Sequence, residues 1–354
     1  MRQSRKLDHL KYSLLLPDGP ALSSFADLTV IHNCLPNLSW SDIQLASRIA
    51  GIHLNHPVIL NAITGGAEDV KAVNAHLAEF ACLTHSAMAV GSQYAALEDL
   101  QVQESYKIVR KINPDGLILA NLGAHATPQQ AQQAIEMIGA QMIQIHLNVA
   151  QEIIMVEGDR DFSRYLDNIA AIASKVDVPV IVKEVGCGIA SEQVLAIAKT
   201  GVKAIDTGGT GGTNFMAIEA ARSQTDLKVE TLHWGIPTAI SAIEAAVVLP
   251  ADMDLMVSGG VRTPLDVVKS LAVGACAVGM AAPIVKMVCE QGVEATVNWF
   301  TCFLEDVKRY MLLAGVAHIE DLTKVPLVIS GYSKDWLTAR GIDITKYAVR
   351  KKHG

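Results

Sequence analysis

Charge and aromatic rings are both scarce in this 354-residue chain: 18% of residues are Asp, Glu, Lys or Arg, and 5% are Phe, Trp or Tyr. The charge that is present leans acidic, with a formal net of −7. Coating nucleic acid needs the opposite sign, and stacking bases needs many rings, so neither is a general mode of binding here. The six cysteines (Cys34, Cys82, Cys187, Cys276, Cys289 and Cys302) include no CxxC pair and no Cys/His run with zinc spacing. Most have apolar sequence neighbours, so they read as buried free thiols in a reducing compartment. Long apolar runs are missing as well. Near the N-terminus only Leu14–Leu16 is uninterrupted, too short for a signal-peptide core. The longest segment free of Asp, Glu, Lys, Arg and His, Ser270–Val285, contains Gly274, Gly279 and Pro283 and falls short of the roughly 20 apolar residues of a spanning helix. The expectation is a soluble, cytoplasmic protein with no membrane or nucleic-acid partner.

What the chain does have is apolar material: half its residues are hydrophobic, enough for a sizeable core and too much for disorder. Length alone admits two ordinary domains or one large α/β barrel. Short apolar runs recur, each landing on a small or polar residue before a helix-period segment. In order they are Val58–Leu60, Ala87–Val90, Leu117–Ala120, Met142–Leu147, Val180–Val182, Ala204–Ile205, Leu255–Val257 and Ala275–Val278. Intervening segments such as Thr127–Ile138, Ser191–Thr200 and Thr263–Ala272 carry helical periodicity, with Ser191 and Thr263 as N-cap candidates. Apolar strands alternating with helices indicate a parallel sheet buried on both faces. Eight such units close a (β/α)₈ TIM barrel, with a doubly wound open sheet as the alternative. The longest intervals follow the fourth and sixth runs, which puts long loops on the C-terminal face. Residues 1–56 and 287–354 read as N- and C-terminal extensions of one barrel domain spanning 1–354, since no linker separates them.

Several strings carry chemistry. The loops SGGVR (258–262) and GMA (279–281) follow the seventh and eighth runs, where barrel loops offer backbone N–H groups to a phosphate. Tight turns alone are the plainer reading. DTGGTGGT (206–213) suits a loop wrapping a ligand, with Thr213 as hydroxyl donor. Lys183, directly after a buried strand, points into the barrel mouth and costs desolvation unless it meets an anion. Pairing with Glu184 is disfavoured because successive strand residues face opposite ways. His146 and Asn148 share one face of their strand, with Gln151 and Glu152 following. One carboxylate beside an amide suits Mg²⁺ that takes further ligands from a substrate phosphate. Arg5, Lys6 and His9 could clamp a diphosphate, although a solvated charge run is the usual reading of such a string.

Taken in order, RKLDH, AITGG, GSQ, ANLG, QIHLNVAQE, EGDRDF, VIVKEVGCGI, DTGGTGGT, HWGIPT, SGGVRTPLDVVKSLAVGA and GMAAP resemble the type 2, flavin-dependent isopentenyl diphosphate isomerases over nearly the whole chain. The resemblance implies a barrel binding FMN at its C-terminal mouth, with Mg²⁺ on the substrate diphosphate and NADPH or NADH as reductant. Ala62, Ile63, Thr64, Ser92, Asn121, Lys183 and Thr213 would surround the flavin. Gly259, Gly260, Met280 and Ala281 would hold its phosphate through backbone amides. Arg5, Lys6 and His9 would grip the substrate diphosphate, reaching a neighbouring subunit's cavity in a homo-oligomer (tetramer or octamer). Gln151 would face the allylic group, Glu152 would ligate Mg²⁺, and His146 and Asn148 would complete the pocket, with Gln151, Lys183 and His146 as the catalytic set. Two positions depart from the family pattern. Val156 replaces a usual proline, which is expected to loosen the loop after Glu152, and Asn214-Phe215 replaces Ser-Trp, altering a flavin-side contact. A 2-hydroxy-acid oxidase is the rival enzyme, but it needs a His base and an Arg clamp after the sixth or seventh strand. DTGGTGGT supplies neither, although Arg262 follows SGG. A flavin- or phosphate-binding protein without catalysis is the remaining alternative.

Overall fold

The computed structural model describes residues 8, 11–13, 15–16, 22–62, 65–66 and 70–350. Strand β1 (Leu28–Val30) lies in the N-terminal extension, followed by the hairpin β2 (Ser47–Ile49) and β3 (Ile52–Leu54). Eight parallel strands then alternate with helices: β4 (Val58–Leu60), β5 (Met88–Ala89), β6 (Ile118–Gly123), β7 (Met142–Leu147), β8 (Val180–Glu184), β9 (Ala204–Asp206), β10 (Asp254–Ser258) and β11 (Ala277–Met280). They hydrogen-bond in chain order, and β11 pairs with β4 to close the barrel. The eight-unit reading is therefore correct, and the open sheet is not formed. Strand β12 (Leu327–Ile329) pairs antiparallel with β1, so the two extensions are stitched to each other.

Strand ends differ from the sequence reading in one systematic way. Asn121–Gly123, Lys183–Glu184 and Asp206 were expected to lie beyond their strands, yet they continue the ladder. The last strand starts at Ala277 rather than Ala275. In a barrel, a polar residue whose side chain turns toward the open mouth does not end the strand. Thr127 and Thr263 cap their helices, each accepting from a backbone N–H three residues on, with proline in the first turn. Ser191 is instead the first residue of helix Ser191–Ala198, behind the cap residue Ala190. Its hydroxyl is turned toward the Glu244 carbonyl, to which it donates at 2.9 Å.

The expectation of buried cysteines is also corrected. All six are free; Cys34, Cys82, Cys289 and Cys302 are exposed, and Cys187 and Cys276 are partly buried. Cys82, Cys289 and Cys302 sit on helices, where each residue turns about 100° from the last, so apolar sequence neighbours do not place a side chain inside.

Buried apolar side chains divide into two clusters. The larger joins outward-facing strand residues such as Ile143, Ile145 and Val182 to the surrounding helices. The smaller fills the barrel's N-terminal half with Ile59, Ala89, Leu119, Met142, Ile181, Ala204, Met256 and Ala277. Ile49 and Leu54 of the β2–β3 hairpin close this end from below. The hairpin turns through Ala50 and Gly51, both at positive φ, and Ala50 N–H is held by Asp254 Oδ2 at 2.6 Å. One end of the barrel is thus plugged with hydrocarbon, and ligands must enter at the other.

Candidate functional site

At the C-terminal mouth a cleft opens between the ends of β4, β8, β9, β10 and β11. Asn61, Ala62, Lys183, Thr213, Gly259, Gly260, Met280 and Ala281 all line it. Met280 is buried at 1% exposure among the outer core side chains, leaving its backbone to face the cleft. Ile63, Thr64, Arg5, Lys6 and His9 lie outside the described residues.

The glycine loops do more than turn the chain. Gly259 (φ +103°) and Gly260 (φ +74°) occupy the left-handed region, and a Cβ at either would collide with the carbonyl oxygen of Gly209 or Gly211. The DTGGTGGT and SGGVR loops therefore pack backbone against backbone, which only glycine allows. Among the described residues the amide N–H groups of Gly259 and Gly260 take no hydrogen bond. They fit the phosphate of a cofactor such as FMN, with the first turn of helix Ala282–Gln291 beside them.

The floor of the cleft is a second layer of inward side chains, two residues beyond the hydrocarbon layer on each strand. Asp206, fully buried at the end of β9, is its centre. Its Oδ1 accepts from Ser258 Oγ (2.6 Å) and Gly208 N–H (3.3 Å), and its Oδ2 accepts from Asn61 Nδ2 (2.8 Å). Lys183 Nζ stands 4.0 Å from Asp206 Oδ2 and donates to the Glu184 carbonyl at 2.8 Å. The anion that meets Lys183 is thus Asp206, its register partner on the neighbouring strand. Sequence reasoning missed this pair, along with Asn61 and Gln144. Glu184 turns away from Lys183 and accepts from Gly186 and Cys187 N–H; burial pushes its carboxyl up to about 7, against the pull of those amides.

From Asn61 the network crosses the barrel. Gln144 Nε2 donates to Asn61 Oδ1 at 3.0 Å, Asn121 Nδ2 donates to Gln144 Oε1 at 3.3 Å, and His146 Nδ1 meets Asn121 Oδ1 at 2.7 Å. Asn121 and His146, both singled out from sequence, therefore sit in one chain. Ser92 does not line the cleft; its carbonyl accepts from Tyr106 OH.

Beyond β7, helix Val149–Ile154 carries the next two candidates. Gln151 is buried, and its Nε2 donates to Glu219 Oε1 at 2.8 Å. Glu219 is fully buried and its charge is met by Arg222 Nε at 2.7 Å, while Arg222 reaches Glu157 at 2.6 Å. This Glu219–Arg222 support was also missed, because it arrives from a helix in the sixth unit. Glu152 accepts from Asn148 Nδ2 (2.7 Å) and Asp159 N–H (2.9 Å), one on each oxygen. A carboxylate has about four lone-pair sites, so both oxygens retain capacity for a cation. Asn148 Oδ1 is buried with no hydrogen-bond partner among the described residues, a second oxygen beside Glu152. No group of three or more His, Cys, Asp or Glu among the described residues forms a metal cage. The donor set fits a hard cation that arrives with its own oxygen ligands.

Of the two departures noted in the sequence, Val156 is exposed, and the following loop is not loose: Arg160 donates to the carbonyls of Glu152 and Met155, each at 2.7 Å. Asn214 caps helix Phe215–Ser223, and Phe215 lines the cleft. Among the described residues no helix is long and apolar enough to cross a membrane.

The sequence profile described as FMN-dependent dehydrogenase matches residues 121–328. Relatives named isopentenyl-diphosphate delta-isomerase align nearly end to end. The one from Symbiobacterium thermophilum is 40% identical, covering 99% of both chains. Those from Geobacillus sp. (strain WCH70) and Bacillus pumilus are each 44% identical, covering 99% and 100% of this chain and 99% of their own. Among solved structures, a lactate oxidase from Pediococcus acidilactici superposes with TM-score 0.69 at 16% identity, covering 94% of this chain and 93% of its own. A mandelate oxidase superposes at 0.65 with 15% identity, covering 90% and 95%. At such identities the oxidases share the barrel and nothing finer. With full-length likeness to the isomerases and an FMN-family profile over residues 121–328, the chain belongs to the isopentenyl-diphosphate delta-isomerase family, in its FMN-dependent type 2 form.

Proposed function

We propose that this chain interconverts isopentenyl and dimethylallyl diphosphate, with FMN in the mouth cleft and Mg²⁺ on the substrate diphosphate. The observation that carries the reading is the cleft: among the described residues, glycine-loop amides without protein partners form one wall, and Lys183 is the one lysine that lines it, with the Asp206 carboxylate beneath. Bound reduced FMN would supply the acid–base group that moves the double bond with no net redox change, NADPH or NADH serving to keep it reduced.

The chain's own residues supply binding, orientation and electrostatics. Gly259, Gly260, Met280 and Ala281 would hold the cofactor phosphate, with Ala62, Ile63, Thr64, Ser92, Asn121 and Thr213 around the ring. The Lys183 charge favours whichever form of the ring is negative. Gln151, oriented by Glu219, would face the allylic carbons, with His146 and Asn148 completing the pocket. Glu152 would take Mg²⁺. Phe215 on the cleft wall helps exclude water, which would trap a developing carbocation as an alcohol. Arg5, Lys6 and His9 would clamp the diphosphate, from this subunit or a neighbour in a homo-oligomer. Ser23, 14 residues beyond His9, packs against Gly211 at the mouth, and its carbonyl accepts from Ala239 N–H at 2.9 Å, which leaves the arm within reach of the cleft.

The test is one assay. Isopentenyl diphosphate, Mg²⁺ and oxidised FMN should give no product, and reduction by dithionite or NAD(P)H should switch turnover on without stoichiometric loss of reductant. Full activity from flavin-free protein overturns the reading.

A further inference from the structure

The hydrogen bonds beneath the mouth have a direction, and one backbone group fixes it. Ala62 N–H donates to the Asn61 side chain at 2.9 Å, so the accepting atom there must be Oδ1 and the atom facing Asp206 must be Nδ2. Gln144 therefore presents its Nε2 to Asn61 Oδ1, which leaves Gln144 Oε1 for Asn121 Nδ2. Asn121 then turns its Oδ1 toward His146, and an amide oxygen only accepts, so His146 Nδ1 carries a proton. Every donor in the relay from His146 through Asn121, Gln144 and Asn61 points toward the Asp206 carboxylate. Hydrogen bonds aligned in this way polarise one another, and the buried negative charge at the end sets their common direction. The same carboxylate lies 4.0 Å from Lys183 Nζ.

We propose that Asp206 is the positioning residue of the barrel mouth: it supplies the counter-charge for Lys183 and, through the relay, fixes the Nδ1–H tautomer of His146 on β7, two strands away. It touches neither substrate nor cofactor in this account and acts through the two side chains that do. Asp206→Asn keeps the shape and can still accept from Ser258 and Gly208. Its new NH₂ would face the NH₂ of Asn61, however, and Asn61 cannot turn without losing both Ala62 and Gln144. The conflict passes along the relay to His146, and Lys183 loses its counter-charge.

The His146 arm needs no cofactor. In flavin-free protein labelled with ¹⁵N-histidine, His146, assigned with His146→Gln, should show the Nδ1–H tautomer. Asp206→Asn should mix the tautomers, and Gln144→Met, which cuts the relay without touching any charge, should do the same. The Lys183 arm rests on the FMN reading above. Removing a negative charge beneath the ring should favour the reduced anionic cofactor about tenfold, a rise of about 30 mV in a two-electron midpoint potential. Gln144→Met should leave the potential in place. An unchanged His146 tautomer in both variants overturns the relay, and a potential that falls or stays in Asp206→Asn overturns the counter-charge. If the wild-type protein binds no FMN, the functional reading fails while the tautomer experiment still decides the role of Asp206.

Discussion

Along the barrel strands, one inward side chain is apolar and the next, two residues later, is polar or glycine. Ile59 is followed by Asn61, Leu119 by Asn121, Met142 by Gln144, Ile181 by Lys183, Ala204 by Asp206, Met256 by Ser258 and Ala277 by Gly279. The layers are only roughly 7 Å apart, yet they differ in kind. The lower gains stability from burial alone and is sealed by Ile49 and Leu54. The upper is equally buried, with Asp206, Gln144 and Asn121 at 0 to 3% exposure, and holds together because its amides, hydroxyl and charges meet partners. What separates structure from chemistry in this molecule is a single pleat of each strand.

The largest effect should come from moving charge across that boundary. Ile181→Lys places an ammonium one layer down, where the surrounding side chains are hydrocarbon. A loss of about 5 kcal/mol, or no soluble protein, is expected in denaturant titrations. Removing the whole ion pair one layer up, in Lys183→Met/Asp206→Asn, should shift stability by only about 1 kcal/mol, since a buried ion pair adds little net stability. Equal costs for the two changes would erase the distinction between the layers.

The two ends should also differ in sign with pH. His56, at the closed end against Phe300, is pushed down to about 4 by burial. Its contribution is complete above its ordinary value of 6.5 and is lost as pH falls toward 4, about 3 kcal/mol in all. Glu184, at the mouth, has its carboxyl raised from 4.5 to about 7, so its contribution is complete below 4.5 and is lost as pH rises through 7. In denaturation curves across this range, His56→Gln should remove the acid-side loss and Glu184→Gln the neutral-side loss. Superimposable curves would contradict the assignment.

A third substitution tests the wall of the cleft. Gly259→Ala forces a Cβ onto the Gly209 carbonyl in a left-handed backbone, and FMN affinity should fall about a hundredfold. An unchanged fluorescence-quenching isotherm would show that the loop contact does not shape the phosphate site.

Much of this was legible in the sequence, for identifiable reasons. Eight apolar runs with small or polar landings gave the barrel, and Thr263 marked its helix start because capping is a local interaction, whereas Ser191, the other cap candidate, lies one residue inside its helix. Lys183 stood out because a charge directly after an apolar strand must find an anion. The identity of that anion was not legible. Lys183 and Asp206 are brought level by the register between β8 and β9, and no local pattern specifies register in a strand buried on both faces. Gln144 was hidden for a related reason: between Ile143 and Ile145 it reads as a flaw in a strand, and only the closed barrel shows that its neighbours face outward. Cysteine burial failed because helix faces rotate too quickly for sequence neighbours to report them.

A smaller effect separates metal from cofactor within the mouth. Glu152→Gln keeps the Asn148 contact's shape but removes the charge, and the Mg²⁺ concentration for half-maximal turnover should rise about tenfold with FMN affinity unchanged. An unaltered Mg²⁺ titration would reject Glu152 as the ligand.

The upper layer's role is tested most directly by a redox titration of Lys183→Met beside its isotherm for oxidised FMN. Removing a buried, charge-assisted contact of ~1.5–3 kcal/mol should lower the midpoint potential and slow isomerisation by roughly one to two decades. Oxidised FMN, held through Gly259, Gly260 and Ala281, should bind nearly as well as before. If the variant loses oxidised FMN as severely as it loses turnover, and its midpoint potential stays where it was, Lys183 is a structural residue and the upper layer is not the seat of the chemistry.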